Sequence, residues 1–269
     1  MHGNKYPSLC NHYRKENFIM TKKEAGLINK KLENVFYNYY KKIGFLDNEE
    51  NLSDNYLNKF LRERFIERVL FTVLREFEMK SLAEKSILIT GFSHELVSFF
   101  LKLGAEPQNI TVADICPQAI DRAKAILSKT LSFVKIDLDT LNFNDNTFDI
   151  AVCLNYLSNI PSDDLINKMA VEFYRVLKQG GLALVSFTNE IASHDDIQMS
   201  GVMRVFRPEE VIKFFNSFKL VNLLDFIPCN FTLFSINEES IYPKRIGIIE
   251  DLLIEQEKRY TDSLLLLSK

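Results

Sequence analysis

Asp114 is the most interpretable carboxylate in the chain, because it closes the apolar stretch 109–114 and falls nineteen residues after Glu95. An acidic side chain at the end of a second strand can accept hydrogen bonds from both hydroxyls of an adenosine ribose. Each charge-assisted bond of that sort is worth about 1.5 to 3 kcal/mol. The competing reading is an Asp that caps the helix beginning at Pro117. Upstream, residues 86–95 read Ser-Ile-Leu-Ile-Thr-Gly-Phe-Ser-His-Glu, an apolar run that breaks at Gly91 and passes into a helical pattern. In an open parallel sheet the turn after the first strand approaches a ligand most closely. Further along, His194 is followed by Asp195 and Asp196, the residue types of a general base with carboxylate orienters. A loop histidine that is only solvated is the competing reading. Cys10, Cys116, Cys153 and Cys229 are far apart and form no Cys-x-x-Cys pair, so neither a disulfide framework nor a zinc site is expected.

Composition narrows the class. The chain has 269 residues, 46% hydrophobic and 26% charged, enough for a sizeable core. A net charge of -3 with a pI near 5.9 gives no global attraction to nucleic acid or to an anionic membrane. Residues 1–44 are the exception, with nine Lys or Arg against three Glu. The first thirty residues lack a continuous apolar segment, and nowhere do eighteen uncharged apolar residues run together. No signal peptide and no membrane span are expected, and a reducing cytoplasmic setting suits the scattered thiols.

The elements that must position these residues follow from periodicity. Residues 1–20 read as a loosely ordered leader, and residues 21–80 as an N-terminal helical cap. In the first cap helix Ile28, Leu32, Val35, Phe36, Tyr39 and Ile43 recur at three- and four-residue steps. Its Lys30, Lys31, Lys41 and Lys42, interleaved with Tyr37, Tyr39 and Tyr40, could form a nucleic-acid face with stacking aromatics; the alternative is a solvated face snorkelling over a core. A second cap helix carries the row Leu57, Leu61, Phe65, Val69, Val73 and Phe77.

From residue 81 to 269 strands and helices alternate, which predicts a doubly wound, mostly parallel α/β sheet. Strands are expected at 87–90, 109–114, 131–136, 148–154, 182–187 and 220–227, with a short final one at 263–267. Helices are expected at 95–103, 117–128, 161–178 and 208–217, the third of them stopped by Gly180-Gly181. An insertion at 229–260, with a charged helix at 246–258, separates the last two strands.

Residues 86–189 resemble the class I S-adenosylmethionine-dependent methyltransferases. Val-Ala-Asp-Ile-Cys-Pro-Gln-Ala-Ile-Asp-Arg-Ala-Lys at 112–124 is similar to the family's ribose-binding strand end. The resemblance gives Asp114 the ribose role and sets Ile115 beside the adenine. Val-Lys-Ile-Asp-Leu-Asp at 134–139 implies that Asp137 meets the adenine amino group while Leu138 packs on the ring. Phe-Asp-Ile-Ala-Val-Cys-Leu-Asn-Tyr-Leu-Ser-Asn-Ile at 148–160 implies that Leu154 and Asn155 lie beside the methionine part. Arg-Val-Leu-Lys-Gln-Gly-Gly at 175–181 is a structural match. The family sheet has seven strands in the order 3-2-1-4-5-7-6, and the implied cofactor is S-adenosyl-L-methionine.

The family's turn, apolar-apolar-acidic-x-Gly-x-Gly-x-Gly, maps onto 87–95, where only Gly91 matches. Gly91, Phe92 and Ser93 would line the cofactor, while Glu95 and His94 would stand near its amino-acid end. Phe92 or Tyr156 could face the sulfonium. If Ser93 and Glu95 keep the family's positive backbone angles, each costs about 1 to 2 kcal/mol in strain.

The leading expectation is therefore a methyltransferase acting on a small-molecule acceptor by in-line transfer, which needs near-attack geometry and no obligatory base. His194 is the candidate base where the acceptor must lose a proton. The alternatives are a non-catalytic methyltransferase-like binding module, motivated by the missing glycines, and an RNA methyltransferase using the basic arm. A nicotinamide dehydrogenase is disfavoured because no Gly-x-Gly-x-x-Gly run is present.

Overall fold

Strands covered on both faces read as continuous apolar runs, and such runs build the centre of the sheet. The computed structural model describes residues 22–42, 46, 56–77, 79–154, 156–190, 204–226 and 262–269. Among these, β1 (Ile87–Thr90), β2 (Ile110–Asp114), β3 (Ser132–Lys135), β4 (Phe148–Cys153), β5 (Leu177–Thr188), β6 (Lys219–Phe226) and β7 (Asp262–Ser268) join one sheet. Its order is β3-β2-β1-β4-β5-β7-β6. The pairs β1–β2, β1–β4, β2–β3 and β4–β5 are parallel, and β7 runs antiparallel between β5 and β6. This is the expected sheet order. Ile87, Leu88, Ile89, Val112, Ala151, Val152, Val185 and Leu264 to Leu266 are all buried.

The crossover helices are α3 (His94–Lys102), α4 (Pro117–Ile126) and α5 (Asp163–Val176), with α6 (Pro208–Phe214) preceding β6. The end of α3 follows from its sequence: Gly104 has a φ of 86°, its N–H donates to Leu101 O, and the Ala105 N–H donates to Phe100 O, the paired bonds of a glycine-terminated helix. The Gly180-Gly181 expectation needs correction. The α5 helix already ends at Val176 and β5 begins at Leu177, so both glycines lie inside the strand. The β4–β5 register jumps there, pairing Phe148 with Leu177 and then Ile150 with Leu182. Gly180 takes a φ of 73° within that irregularity.

Two helices precede the sheet, α1 (Lys22–Lys42) and α2 (Tyr56–Glu76). Packing of α2 is on α3 and toward β6, with Ile66, Leu70 and Val73 buried, Glu67 3.3 Å from Lys102 Nζ, and Asn222 donating to Glu76. The buried face of α1 consists of Asn29, Leu32, Phe36 and Tyr40. This corrects the assignment of Tyr40 to a charged outer face, since only 2% of it is exposed. The helix is rotated from the expected stripe, with Ile28, Val35 and Tyr39 only partly buried. None of the described helices is long and apolar enough to cross a membrane. Asn155, His194 and the insertion at 229–260 lie outside the described residues.

Candidate functional site

The site forms where β1, β2 and β4 end, the switch point of the strand order. Three apolar strands in parallel register deliver Thr90, Asp114 and Cys153 to one edge of the sheet, because Ile89 pairs with both Val112 and Val152. Gly91 then turns the chain with a φ of 82° and donates its N–H to Ala113 O at 2.9 Å. A Cβ there would meet the Tyr156 ring at 2.6 Å, so glycine is required both for the angle and for the space.

The expected strain at Ser93 and Glu95 is absent, which corrects the sequence-based expectation. Ser93 has φ -142° and ψ 117°, ordinary extended backbone, and serves as the N-cap of α3 by accepting from the Leu96 N–H at 3.2 Å. Glu95 lies within the first turn of α3 and accepts a hydrogen bond from the Ser93 hydroxyl at 2.9 Å. The family's later glycine positions have become a capped helix start.

Asp114 is fully buried. Its Oδ1 accepts from the Cys116 N–H at 2.7 Å, and its Oδ2 accepts from the Phe92 N–H at 2.8 Å and from the Tyr40 hydroxyl. Burial pushes the carboxyl up to about 6, against the lowering effect of Tyr40 and the amides of Cys116, Phe92 and Ile115. Tyr40 is raised well above the usual phenol range by burial and by the charge of Asp114, so its hydroxyl keeps its proton and donates. The same hydroxyl accepts from the Phe92 N–H at 2.9 Å.

Aromatic rings fill the remaining space. The Tyr156 hydroxyl accepts from the Ile115 N–H at 3.3 Å, and the ring stacks on Phe36 of α1 with centroids 4.1 Å apart and planes at 18°. Phe36, Tyr40, Phe92 and Tyr156 are thus buried together over the turn.

Of the residues expected from the sequence, Gly91, Phe92, Asp114 and Ile115 gather here. Ile115 is fully buried, and Phe92 is packed in the core with its N–H turned to Asp114. Asp137 and Leu138 follow β3, which is joined to the site by the Ile136 N–H donating to Asp114 O. Leu138 is buried, whereas Asp137 is 44% exposed and 3.5 Å from Lys135 Nζ. Leu154 follows β4 and is half-buried. Phe36 and Tyr40 were missed as site residues, although the four-residue step from Leu32 through Phe36 to Tyr40 is a usable signal for one buried face.

A family model described as a methyltransferase domain matches residues 90–185, the segment that contains Gly91, Asp114, Asp137 and Tyr156. Residues 90–185 thus match a methyltransferase domain, set in a sheet with the strand order expected of the class I fold. Over 69 residues the chain is 41% identical to a ubiquinone/menaquinone biosynthesis C-methyltransferase of Agrobacterium fabrum. That match covers 26% of this chain, which spans about a quarter, 26%, of the relative's length. Among solved structures, an S-adenosylmethionine-dependent methyltransferase of Mesorhizobium loti superposes with a TM-score of 0.53 at 15% identity, covering 74% of this chain and 97% of that one. One from Archaeoglobus fulgidus gives 0.52 at 16% identity, covering 80% and 100%. These superpositions show the shared fold of the methyltransferase domain.

The cofactor of this family is S-adenosylmethionine, and the crevice can be tested against it. Asp114 is a buried carboxylate already accepting a hydroxyl, the same bond that a ribose would supply. Beside it, Thr90 keeps a buried hydroxyl oxygen with no hydrogen-bond partner, a vacancy that a polar ligand could satisfy. The groups on the sheet edge fit the cofactor's ribose. Helix α1 nevertheless lies across that edge, with the Tyr40 hydroxyl donating to Asp114.

Proposed function

We propose that the protein is an S-adenosylmethionine-dependent methyltransferase acting on a small-molecule acceptor. The observation that carries this is Asp114: a buried carboxylate at the end of β2, beside the glycine turn of β1, in a sheet of order 3-2-1-4-5-7-6. When bound, the cofactor supplies an electrophilic methyl group on a sulfonium. Asp114 holds both ribose hydroxyls, and Gly91 lets the backbone approach without a Cβ. Ile115 and Leu138 flank the adenine, and Asp137 receives its amino group. Phe92 and Ser93 line the turn, while Leu154 stands beside the methionine part. Positioning of acceptor and methyl group accounts for the acceleration; His194 removes a proton where the acceptor carries one. An acidic chain does not attract nucleic acid globally, and burial of Tyr40 removes one ring from the proposed stacking face. Both favour a small acceptor, as does the name of the partial relative from Agrobacterium fabrum.

Titration calorimetry with S-adenosylmethionine and S-adenosylhomocysteine tests the reading. Binding of both is expected, and absence of heat with either at millimolar ligand sinks it. A second reading, a non-catalytic methyltransferase-like module, is supported by the internal satisfaction of Asp114 and the rings packed over Gly91. Incorporation of labelled methyl groups into any acceptor in a lysate of the source organism would exclude it.

A further inference from the structure

We propose that α1 is an internal competitor of the cofactor, with the Tyr40 hydroxyl holding the ribose position on Asp114, so that cofactor binding and docking of α1 exclude one another. The proposal rests on the cofactor reading above. The Tyr40 hydroxyl donates to Asp114 Oδ2 and accepts from the Phe92 N–H, sitting between a carboxylate and a turn amide as a sugar hydroxyl would. One turn earlier on the same helix, Phe36 lies flat on Tyr156, whose ring blocks the space over Gly91. A helix that merely closed over a bound cofactor would leave the carboxylate to the ligand, whereas α1 uses the carboxylate itself.

Two further described contacts of α1 suit an element that can leave. Glu33 pairs with Lys135 Nζ at 2.7 Å, but the two side chains are 29% and 45% exposed, and such pairs contribute little. Asn29 is buried in the docked face with its Oδ1 lacking a hydrogen-bond partner, an unfavourable contact that undocking relieves. The fully buried side chains of the docked face are Leu32, Phe36 and Tyr40, with Ile28 and Tyr39 packed partly against the core, and Phe36 and Tyr40 occupy the crevice.

Two measurements on the full chain test the competition. Calorimetric affinity for S-adenosylhomocysteine is compared between the wild type and Tyr40→Phe, which keeps the ring and loses the hydroxyl; the variant is expected to bind about tenfold tighter. Hydrogen exchange of residues 30–42 is followed in the wild type with and without saturating S-adenosylhomocysteine, and faster exchange with ligand is expected. Equal or weaker binding by the variant, or slower exchange of α1 with ligand, would overturn the proposal and make α1 a clamp. Absence of binding by both proteins would instead remove the cofactor reading. Without ligand, Tyr40→Phe should exchange faster over 30–42 than the wild type; unchanged exchange would show that the hydroxyl does not hold the helix.

Discussion

At the residue scale the informative position is Asp114, whose carboxyl is raised to about 6 by burial. The folded state thus binds its proton more tightly than the unfolded chain, where an Asp titrates near 3.9. The stabilising contribution is fully present below that unfolded value and is lost as pH rises through about 6. A shift of about two units corresponds to roughly 3 kcal/mol. Urea unfolding of the wild type and of Asp114→Asn across pH 4 to 7.5 should show the wild type losing about that much relative to the variant. A difference independent of pH would refute the shift. The same variant should bind S-adenosylhomocysteine about 10- to 100-fold more weakly, since a charge-assisted acceptor is lost. Gly91→Ala should destabilise by about 1 to 3 kcal/mol in the same assay, because the backbone is left-handed there and the added carbon meets Tyr156 at 2.6 Å. Both Asp114 and Gly91 were legible in the sequence, each being dictated by strand-end position. Tyr40 was passed over, because its neighbours Lys41 and Lys42 imitate a solvated face and mask the four-residue step from Leu32 and Phe36.

At the element scale, periodicity located the strands to within a few residues and failed where tertiary pairing took over. The final Leu-rich segment is compatible with helix by composition, yet Leu264 to Leu267 form a strand because β5 and β6 supply pairing on both sides. The glycine pair after α5 reads as a helix stop, but β4 and Lys269 recruit it into β5: the Gly180 N–H donates to Lys269 O and the Lys269 N–H to Gly181 O. Ser93 and Glu95 read as damaged glycine positions and instead start α3. Another element-scale tie is Arg175 of α5, whose guanidinium donates to Leu141 O, Phe143 O, Asp145 and Glu172. The Glu172 carboxylate is correspondingly held below its usual range, chiefly by Arg175. Arg175→Ala should cost about 2 to 4 kcal/mol in urea unfolding, because two backbone carbonyls and two carboxylates lose one shared donor. Retention of wild-type stability would mean that solvent replaces the arginine.

At the scale of the whole molecule, α1 and the strand ends meet at one crevice, and ligand binding should register as global stability. At S-adenosylhomocysteine a hundredfold above its dissociation constant the folded state gains about 2.7 kcal/mol. For a chain of this size, a thermal shift of roughly 5 to 10 °C is expected in differential scanning fluorimetry. No shift at millimolar ligand would contradict binding to the folded state. The sequence by itself determined the alternating architecture, the strand order implied by the family motifs, and the carboxylate that ends β2, because these depend on local periodicity and strand ends. Only the tertiary structure decided what sits on that carboxylate. The contact between Tyr40 and Asp114 joins positions 74 residues apart, and no local pattern records which side chain a long-range fold will press into a buried charge. The turn at Gly91 is likewise set locally, but the ring of Tyr156 that forbids a side chain there arrives from the end of β4.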